Sequence, residues 1–109
     1  MFPKPNRLPH EEFSHVYKTG KRIHGEDVLF IISPNKQSVS RFAVQVGTKI
    51  DKKAVGRNRM KRLFREAIRH VLPTIKPGFD CILIARKNFS EKKEQEIEAM
   101  LTEFFKKFT

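Results

Sequence analysis

The sequence predicts an α/β fold in which helices pack on a small mixed sheet as a two-layer sandwich. Apolar residues recur at helical spacing in three segments, short apolar runs of strand length lie between them, and turn residues separate the two kinds. The predicted order is α-β-β-α-β-α, with room for one extra short strand over residues 21–23. The 109 residues, 39% of them hydrophobic, suffice for one core, so residues 1–109 are expected to form a single domain.

The first half of the chain predicts one helix and two strands. Acidic residues after a proline begin a helix on which Phe13 and Tyr17 share a face, and Gly20 ends it. Residues 27–33 form an apolar strand that a Ser-Pro-Asn turn closes. Residues 41–47 alternate in a second strand, which we expect to run antiparallel to the first.

The second half predicts a basic helix, a buried strand and an aromatic helix. The basic helix is expected over 55–72, where Pro73 stops it, and the strand over 80–85 follows a Pro-Gly turn. A last helix is expected over 90–108. Its apolar stripe consists of Ile97, Met100, Leu101, Phe104, Phe105 and Phe108.

The positive charge is concentrated in one segment. The chain carries 23 basic and 12 acidic side chains, a net charge of +11, and residues 49–69 hold nine of the basic and two of the acidic ones. Such concentration is typical of a surface that binds an acidic polymer, either nucleic acid or an anionic membrane. No apolar run could span a bilayer and no signal peptide is recognisable, so we expect a soluble, cytoplasmic chain without a membrane partner.

The basic helix has two opposite faces. An apolar stripe that includes Met60, Phe64 and Ile68 is suited to the core. Basic side chains on the other face repel at i, i+4 spacing by roughly 0.2–0.5 kcal/mol per pair, and phosphates would neutralise them. A solvated basic face without a partner and a membrane-surface helix are the alternatives, although the second would need the apolar stripe. The polar face comprises Asn58, Lys61, Arg62, Arg65 and Arg69, with Arg57 and Arg59 on its flanks near the N-terminal end.

Phe13 and Tyr17 have two interpretations that spacing alone does not separate. Either both rings pack on the sheet as core residues, or they form a stacking platform for unpaired bases. In the second case Lys49 and Lys87 would lie nearby and contact backbone phosphates.

The sequence has no recognisable catalytic or metal-binding pattern. The histidines at 10 and 15 are five residues apart, whereas a zinc helix needs a spacing of four, and no glycine-rich phosphate loop is present. Cys81 is the only cysteine and lies in an apolar strand, where a buried thiol is inert. We therefore expect no catalytic residue, no metal ligand and no small-molecule substrate, so that any catalysis belongs to a partner.

The basic helix closely resembles a known signature. Residues 57–66, Arg-Asn-Arg-Met-Lys-Arg-Leu-Phe-Arg-Glu, are similar to the Arg-Asn-Arg helix of the bacterial ribonuclease P protein subunit. The surrounding pieces agree: Phe-x-x-Val-Tyr-x-x-Gly at 13–20, Arg-Phe-Ala-Val at 41–44 with Lys49, and Ile-Ala-Arg-Lys at 84–87. The resemblance covers nearly the whole chain.

The resemblance implies a function in tRNA maturation. Members of the family bind a catalytic RNA, ribonuclease P RNA, and the particle removes the 5′ leader of precursor tRNA by a Mg²⁺-dependent hydrolysis. The RNA and the substrate hold the Mg²⁺, and the protein binds none tightly. The family fold contains an uncommon left-handed β-α-β crossover around the signature helix. Composition alone would also allow a non-catalytic RNA-binding protein of ribosomal type.

The resemblance further implies two separate RNA-binding surfaces. The leader cleft is expected to be lined by Phe13, Tyr17, Lys49 and Lys87. This sequence differs from the family pattern at two positions that bear on leader binding. Thr48 stands where members commonly have a lysine, and Ile31 stands where the sheet often has an aromatic residue. The catalytic RNA is expected to contact Lys53, Arg57, Asn58, Arg59, Lys61, Arg62, Arg65 and Arg69.

Overall fold

A four-stranded mixed sheet and three helices form the part of the chain that the computed structural model describes, residues 4–25, 27–89 and 91–108, without the side chains at 4 and 108. The elements are α1 (His10–Thr19), β1 (Lys21–His24), β2 (Val28–Pro34), β3 (Arg41–Gln45), α2 (Ala54–Val71), β4 (Phe79–Ala85) and α3 (Glu94–Phe108). The α/β class is therefore confirmed, and the extra short strand is β1.

The strands lie in the order β1-β2-β4-β3, with β2 antiparallel to both β1 and β4, and β3 parallel to β4. The direction of β3 relative to β2 is as predicted, but β4 lies between them. Because β3 and β4 are parallel neighbours, α2 is the crossover helix of a β-α-β unit. Its left-handed sense, which the resemblance implies, stays a prediction.

Helices cover both faces of the sheet, so the structure has three layers, whereas two layers were predicted. One face packs against α2 and α3 in the main core, where Phe64, Leu83 and Phe105 are buried. On the other face Val16 of α1 packs against Ile31 and Ile82. Successive strand residues point to opposite faces, and the central strands are apolar at both, so each face needs cover.

Several element boundaries differ from those predicted. β3 ends at Gln45 because Gly47 begins a turn, in which its carbonyl accepts from the amide of Ile50 at 3.1 Å. α3 begins at Glu94 rather than 90, after a turn in which the amide of Lys92 donates to the carbonyl of Phe89. The predicted first residue, Ser90, lies outside the described residues, as does the side chain of Phe108 in the predicted stripe.

At two glycines, a side chain would disturb the backbone conformation or its packing. Gly20 ends α1 against the sheet, and a Cβ there would lie 2.6 Å from Cγ2 of Ile31. Gly78 has a φ of +106° in the turn before β4. Within residues 4–25, 27–89 and 91–108, no helix has the length and apolar character that a membrane crossing requires.

Candidate nucleic-acid interface

The two predicted faces of α2 are present in the structure. Met60, Phe64 and Ile68 are fully buried against the sheet and α3, which leaves the polar residues on the outer side of the helix. Because the apolar stripe is buried in the core, α2 cannot lie on a membrane through that stripe. The exposed polar residues of this outer face are Asn58, Arg59, Arg62, Arg65 and Arg69.

Basic residues stand at the start of α2. The first turn contains no acidic residue, although carboxylates at this end would be favoured by the helix dipole. Arg57 is half-buried and donates through Nη1 to the carbonyls of Asp51 and Lys52, at 3.0 and 2.9 Å. Arg57 therefore holds the preceding loop, while the exposed side chain of Lys53 remains at the helix start. The Asp51 carboxylate accepts from the amide of Lys53 at 2.9 Å, so this end of the helix holds one carboxylate beside its cations.

The last turn of α2 differs, because acidic groups surround its basic residues. Arg69 forms an ion pair with Glu66 at 2.9 Å. His70 Nδ1 lies 2.6 Å from Glu94 Oε2 and 2.9 Å from Glu98 Oε2, and the hydrogen bond to Glu98 raises the pKa of His70. These three residues bring potential metal-ligand atoms within 4.8 Å of one another, but their mutual hydrogen bonds already account for the cluster.

The aromatic pair of α1 lies partly at the surface. The Phe13 and Tyr17 rings are stacked, with centroids 6.1 Å apart and planes inclined by 19°. Phe13 is half-buried against the small cluster below α1, whereas 39% of Tyr17 is exposed. The interpretation that both rings simply pack on the sheet is therefore wrong for Tyr17.

Tyr17 and Lys49 line a common surface pocket of about 380 Å³. The pocket lies between the end of α1 and the loop after β3, and Thr48 and Ile84 also line it. Lys87 does not line this pocket. Its ammonium lies 3.0 Å from Oδ1 of Asp27, beyond the end of β4. Three of the four residues expected in the leader cleft are thus close together, and the fourth stands apart in an ion pair.

Ile31 is not part of the accessible sheet surface of the leader cleft, whereas the resemblance implied that it would be. Its side chain is fully buried beneath α1, in contact with the helix end at Gly20. On the same face of the sheet, Leu29 and Ile84 are paired across β2 and β4 and are half-buried. Ile84 lines the pocket beside Tyr17, so the accessible sheet surface there is aliphatic.

Arg22 contacts Tyr17, and the sequence did not reveal this contact. It pairs with Ile31 across β1 and β2, which places it on the α1 face of the sheet. Its guanidinium carbon lies 4.7 Å from the centre of the Tyr17 ring, and its Nη2 donates to the Tyr17 carbonyl at 3.1 Å. The only available signal was strand alternation in β1, which becomes informative once the pairing with β2 is known.

The two surfaces predicted to be separate meet at the edge of the sheet. A pocket of about 350 Å³ beside β3 is lined by Phe13 of α1 and by Arg65 of α2. Arg7 and His10 add further basic groups to the same pocket. The aromatic cleft and the basic face are therefore continuous through Arg65.

Comparisons with known proteins agree on one family. The family model described as Ribonuclease P matches residues 2–109. The chain is 36% identical over 102 residues to the ribonuclease P protein component of Picosynechococcus, covering 93% of this chain and 85% of that protein. It is 36% identical over 106 residues to that of Clostridium botulinum, covering 95% of each. The RNase P protein from Thermotoga maritima has a similar structure, with a TM-score of 0.81, 30% identity and coverage of 93% and 96%.

Proposed function

Because the chain belongs to the ribonuclease P protein family, whose members are the protein components of a tRNA 5′-processing ribonucleoprotein, we propose that it binds two RNAs at once. The first is ribonuclease P RNA, on the outer face of α2. The second is precursor tRNA, whose single-stranded 5′ leader lies in the cleft beside α1. We propose that residues 1–109 act as one RNA-binding domain and that the chain works in the cytoplasm, where precursor tRNA is made.

The observation that carries this proposal is the continuity of an aromatic cleft with a basic helix face. Stacking of unpaired bases on Phe13 and Tyr17 suits a single strand of any sequence, as a leader requires. The arginines of α2 offer planar, bidentate donors to the phosphates of a folded RNA. Arg65 borders both surfaces, so one protein could hold the leader against the catalytic RNA.

Within the cleft we assign complementary roles to the described residues. Phe13 and Tyr17 would stack on leader bases, and Lys49 would contact a backbone phosphate on the side of the β3 loop. Arg22, in β1, would provide a second cation next to the Tyr17 ring. Lys87 would have to leave Asp27 to take part, so we expect its contribution to be the smallest.

We propose that the Mg²⁺ of the reaction is bound by RNA and not by this protein. Mg²⁺ prefers carboxylate, phosphate and water oxygens in an octahedral arrangement. The carboxylates beside the basic face are already engaged: Asp51 accepts from the amide of Lys53, and Glu66 pairs with Arg69. These residues do not fit a resident Mg²⁺ site, so we propose that RNA phosphates hold the metal. The cations of α2 would lower the repulsion between the two RNAs and so reduce the Mg²⁺ required.

The alternative, a non-catalytic RNA-binding protein of ribosomal type, would need the basic face alone. It assigns no function to the exposed Tyr17 ring or to the Phe13 pocket that opens beside it. The family match does not favour it.

Phe13→Ala tests the leader-binding role. We expect the reconstituted complex with ribonuclease P RNA to lose preference for precursor over mature tRNA by about 1–3 kcal/mol, the usual worth of one stacked base. Phe13→Tyr keeps the aromatic ring and should retain the preference. Equal preference in the alanine variant and the unmodified protein would return Phe13 to a purely structural role.

A further inference from the structure

Glu12, the residue before Phe13, is held by a buried arginine. Arg41 donates through Nη1 and Nη2 to the two carboxylate oxygens of Glu12, at 2.9 and 3.0 Å. It also donates through Nε and Nη2 to the two oxygens of Asp80, both at 2.8 Å. The Arg41 and Asp80 side chains are 10% and 7% exposed, whereas Glu12 is 45% exposed. Arg41 thus joins a buried carboxylate to one at the surface.

This network ties α1 to the edge strand β3 and to its neighbour β4. Arg41 and Asp80 are register partners at the parallel pairing of β3 with β4, and both lie on the face that α1 covers. Asn35 donates to Asp80 Oδ1 at 2.8 Å and so fixes that carboxylate further. Hydrogen bonds to Asp80 and Glu12 hold the pKa of Arg41 above its ordinary value, so the guanidinium remains charged. The position of Arg41 is therefore set by the sheet, and Glu12 adapts to it.

α1 depends on such a tie because few apolar contacts hold it. Val16 is the one buried side chain of the helix, in a small cluster with Leu8, Ile31 and Ile82. The helix also begins at Pro9 without a side-chain cap. Besides Val16, half-buried Phe13 packs against this cluster, so the rotation of the helix about its own axis rests on few apolar contacts.

We propose that Glu12 is a positioning residue, whose contact with Arg41 fixes the rotation of α1 and thereby aims the Phe13 ring into the pocket beside β3. The inference rests on the proposed contact between Phe13 and the leader. Glu12 itself would not touch RNA, because a carboxylate repels phosphates. Its effect on leader binding would be transmitted through the adjacent ring.

The test compares Glu12→Gln with Glu11→Gln in the complex reconstituted with ribonuclease P RNA. Both variants remove one negative charge from the first turn of α1, and Glu11 is exposed. Electrostatics alone would make both bind precursor tRNA slightly more tightly. We expect instead that Glu12→Gln lowers the preference for precursor over mature tRNA by about 2- to 30-fold, the range typical of indirect coupling, while Glu11→Gln does not.

Folding and catalytic-RNA binding provide the internal checks. The Arg41–Asp80 pair remains in Glu12→Gln, so the variant should fold and should bind ribonuclease P RNA with unchanged affinity. A merely structural role would lower the melting temperature and leave the precursor preference unchanged. That result, or equal behaviour of the two glutamine variants, would overturn the inference.

Measuring Phe13→Ala in the same assay distinguishes failure of this inference from failure of the proposed function. If Phe13→Ala reduces the precursor preference and Glu12→Gln does not, the leader contact stands and the positioning role fails. If Phe13→Ala has no effect, the leader contact itself fails. Where both matter, Glu12→Gln should add no further loss on the Phe13→Ala background, because both changes then act through the same ring.

Discussion

The guanidinium carbon of Arg22 lies 4.7 Å from the centre of the Tyr17 ring, and the same side chain donates to the Tyr17 carbonyl. This contact extends the surface formed by Phe13 and Tyr17 with a cation that can stack on a base or pair with a phosphate. It also links the end of α1 to β1 at the sheet edge.

Arg22→Ala should therefore weaken binding of precursor tRNA and leave binding of mature tRNA nearly unchanged. If Arg22 neutralises one leader phosphate, the log–log salt slope for precursor binding should fall in magnitude by about 1. Lys21→Ala is the matched control, since Lys21 is also exposed on β1 but pairs with Ile32, whose side chain lies on the opposite face. Equal effects of the two variants would mean that only net charge matters.

Reversal of Arg59 and Arg62 to Glu should act mainly on catalytic-RNA binding. Both side chains are exposed on α2, and neither lines the pocket beside Phe13. Two lost charge-assisted contacts at about 1.5 kcal/mol each predict a loss on the order of 100-fold in affinity for ribonuclease P RNA. The precursor preference of whatever complex still forms should persist. Comparable losses in both measurements would contradict a division between these surfaces.

Lys106→Glu with Lys107→Glu is the control for that reversal. These two lysines are exposed in the last turn of α3, far from the basic face in sequence, and their reversal changes the net charge equally. We expect it to weaken catalytic-RNA binding much less than the change in α2 does.

Binding of ribonuclease P RNA should depend steeply on salt. About five phosphate contacts, the number that the exposed cations around α2 suggest, predict a log–log slope near −4. The measurement is the dissociation constant over a range of monovalent salt at fixed pH. A flat response would contradict an electrostatic interface.

The contact between α2 and α3 should depend on pH through His70. The hydrogen bond to Glu98 raises the pKa of His70 in the folded state above the ordinary value of about 6.5. The stabilisation is therefore complete below about pH 6.5 and is lost as the pH rises through the raised folded pKa. Nearby Glu94 supports this direction and Arg69 opposes it.

His70→Gln provides the measurement for this prediction. The difference in melting temperature between the unmodified protein and the variant should shrink as the pH rises from 6.5. The other histidines are present in both proteins, so their titration cancels in the difference. A difference that grows with pH would show that the paired form of His70 is not the protonated one.

Much of α2 could be predicted because helical periodicity is a local property of the chain. Met60, Phe64 and Ile68 follow the i, i+4, i+8 spacing, and they are the residues that the core buries. The charge on the opposite side is equally visible in the sequence. The partners of those charges could not be predicted from the sequence. The hydrogen bond of Arg57 to a loop carbonyl and the ion pair of Arg69 with Glu66 depend on side-chain geometry.

The sheet was less predictable because strand pairing is non-local. Nothing within residues 27–47 indicates that β4, more than thirty residues later, lies between β2 and β3. The positions of Arg22 and Ile31 follow only from the pairing of β1 with β2. The Arg41 network joins residues 29 and 39 positions apart, so spacing could not have indicated it.

The most direct test of the central claim is cleavage of a precursor tRNA by a bacterial ribonuclease P RNA at low Mg²⁺, with and without this protein. We predict that the protein stimulates cleavage at the junction of the 5′ leader and the mature tRNA. Tight binding to the RNA without any stimulation would contradict the account and would favour a purely structural RNA-binding protein.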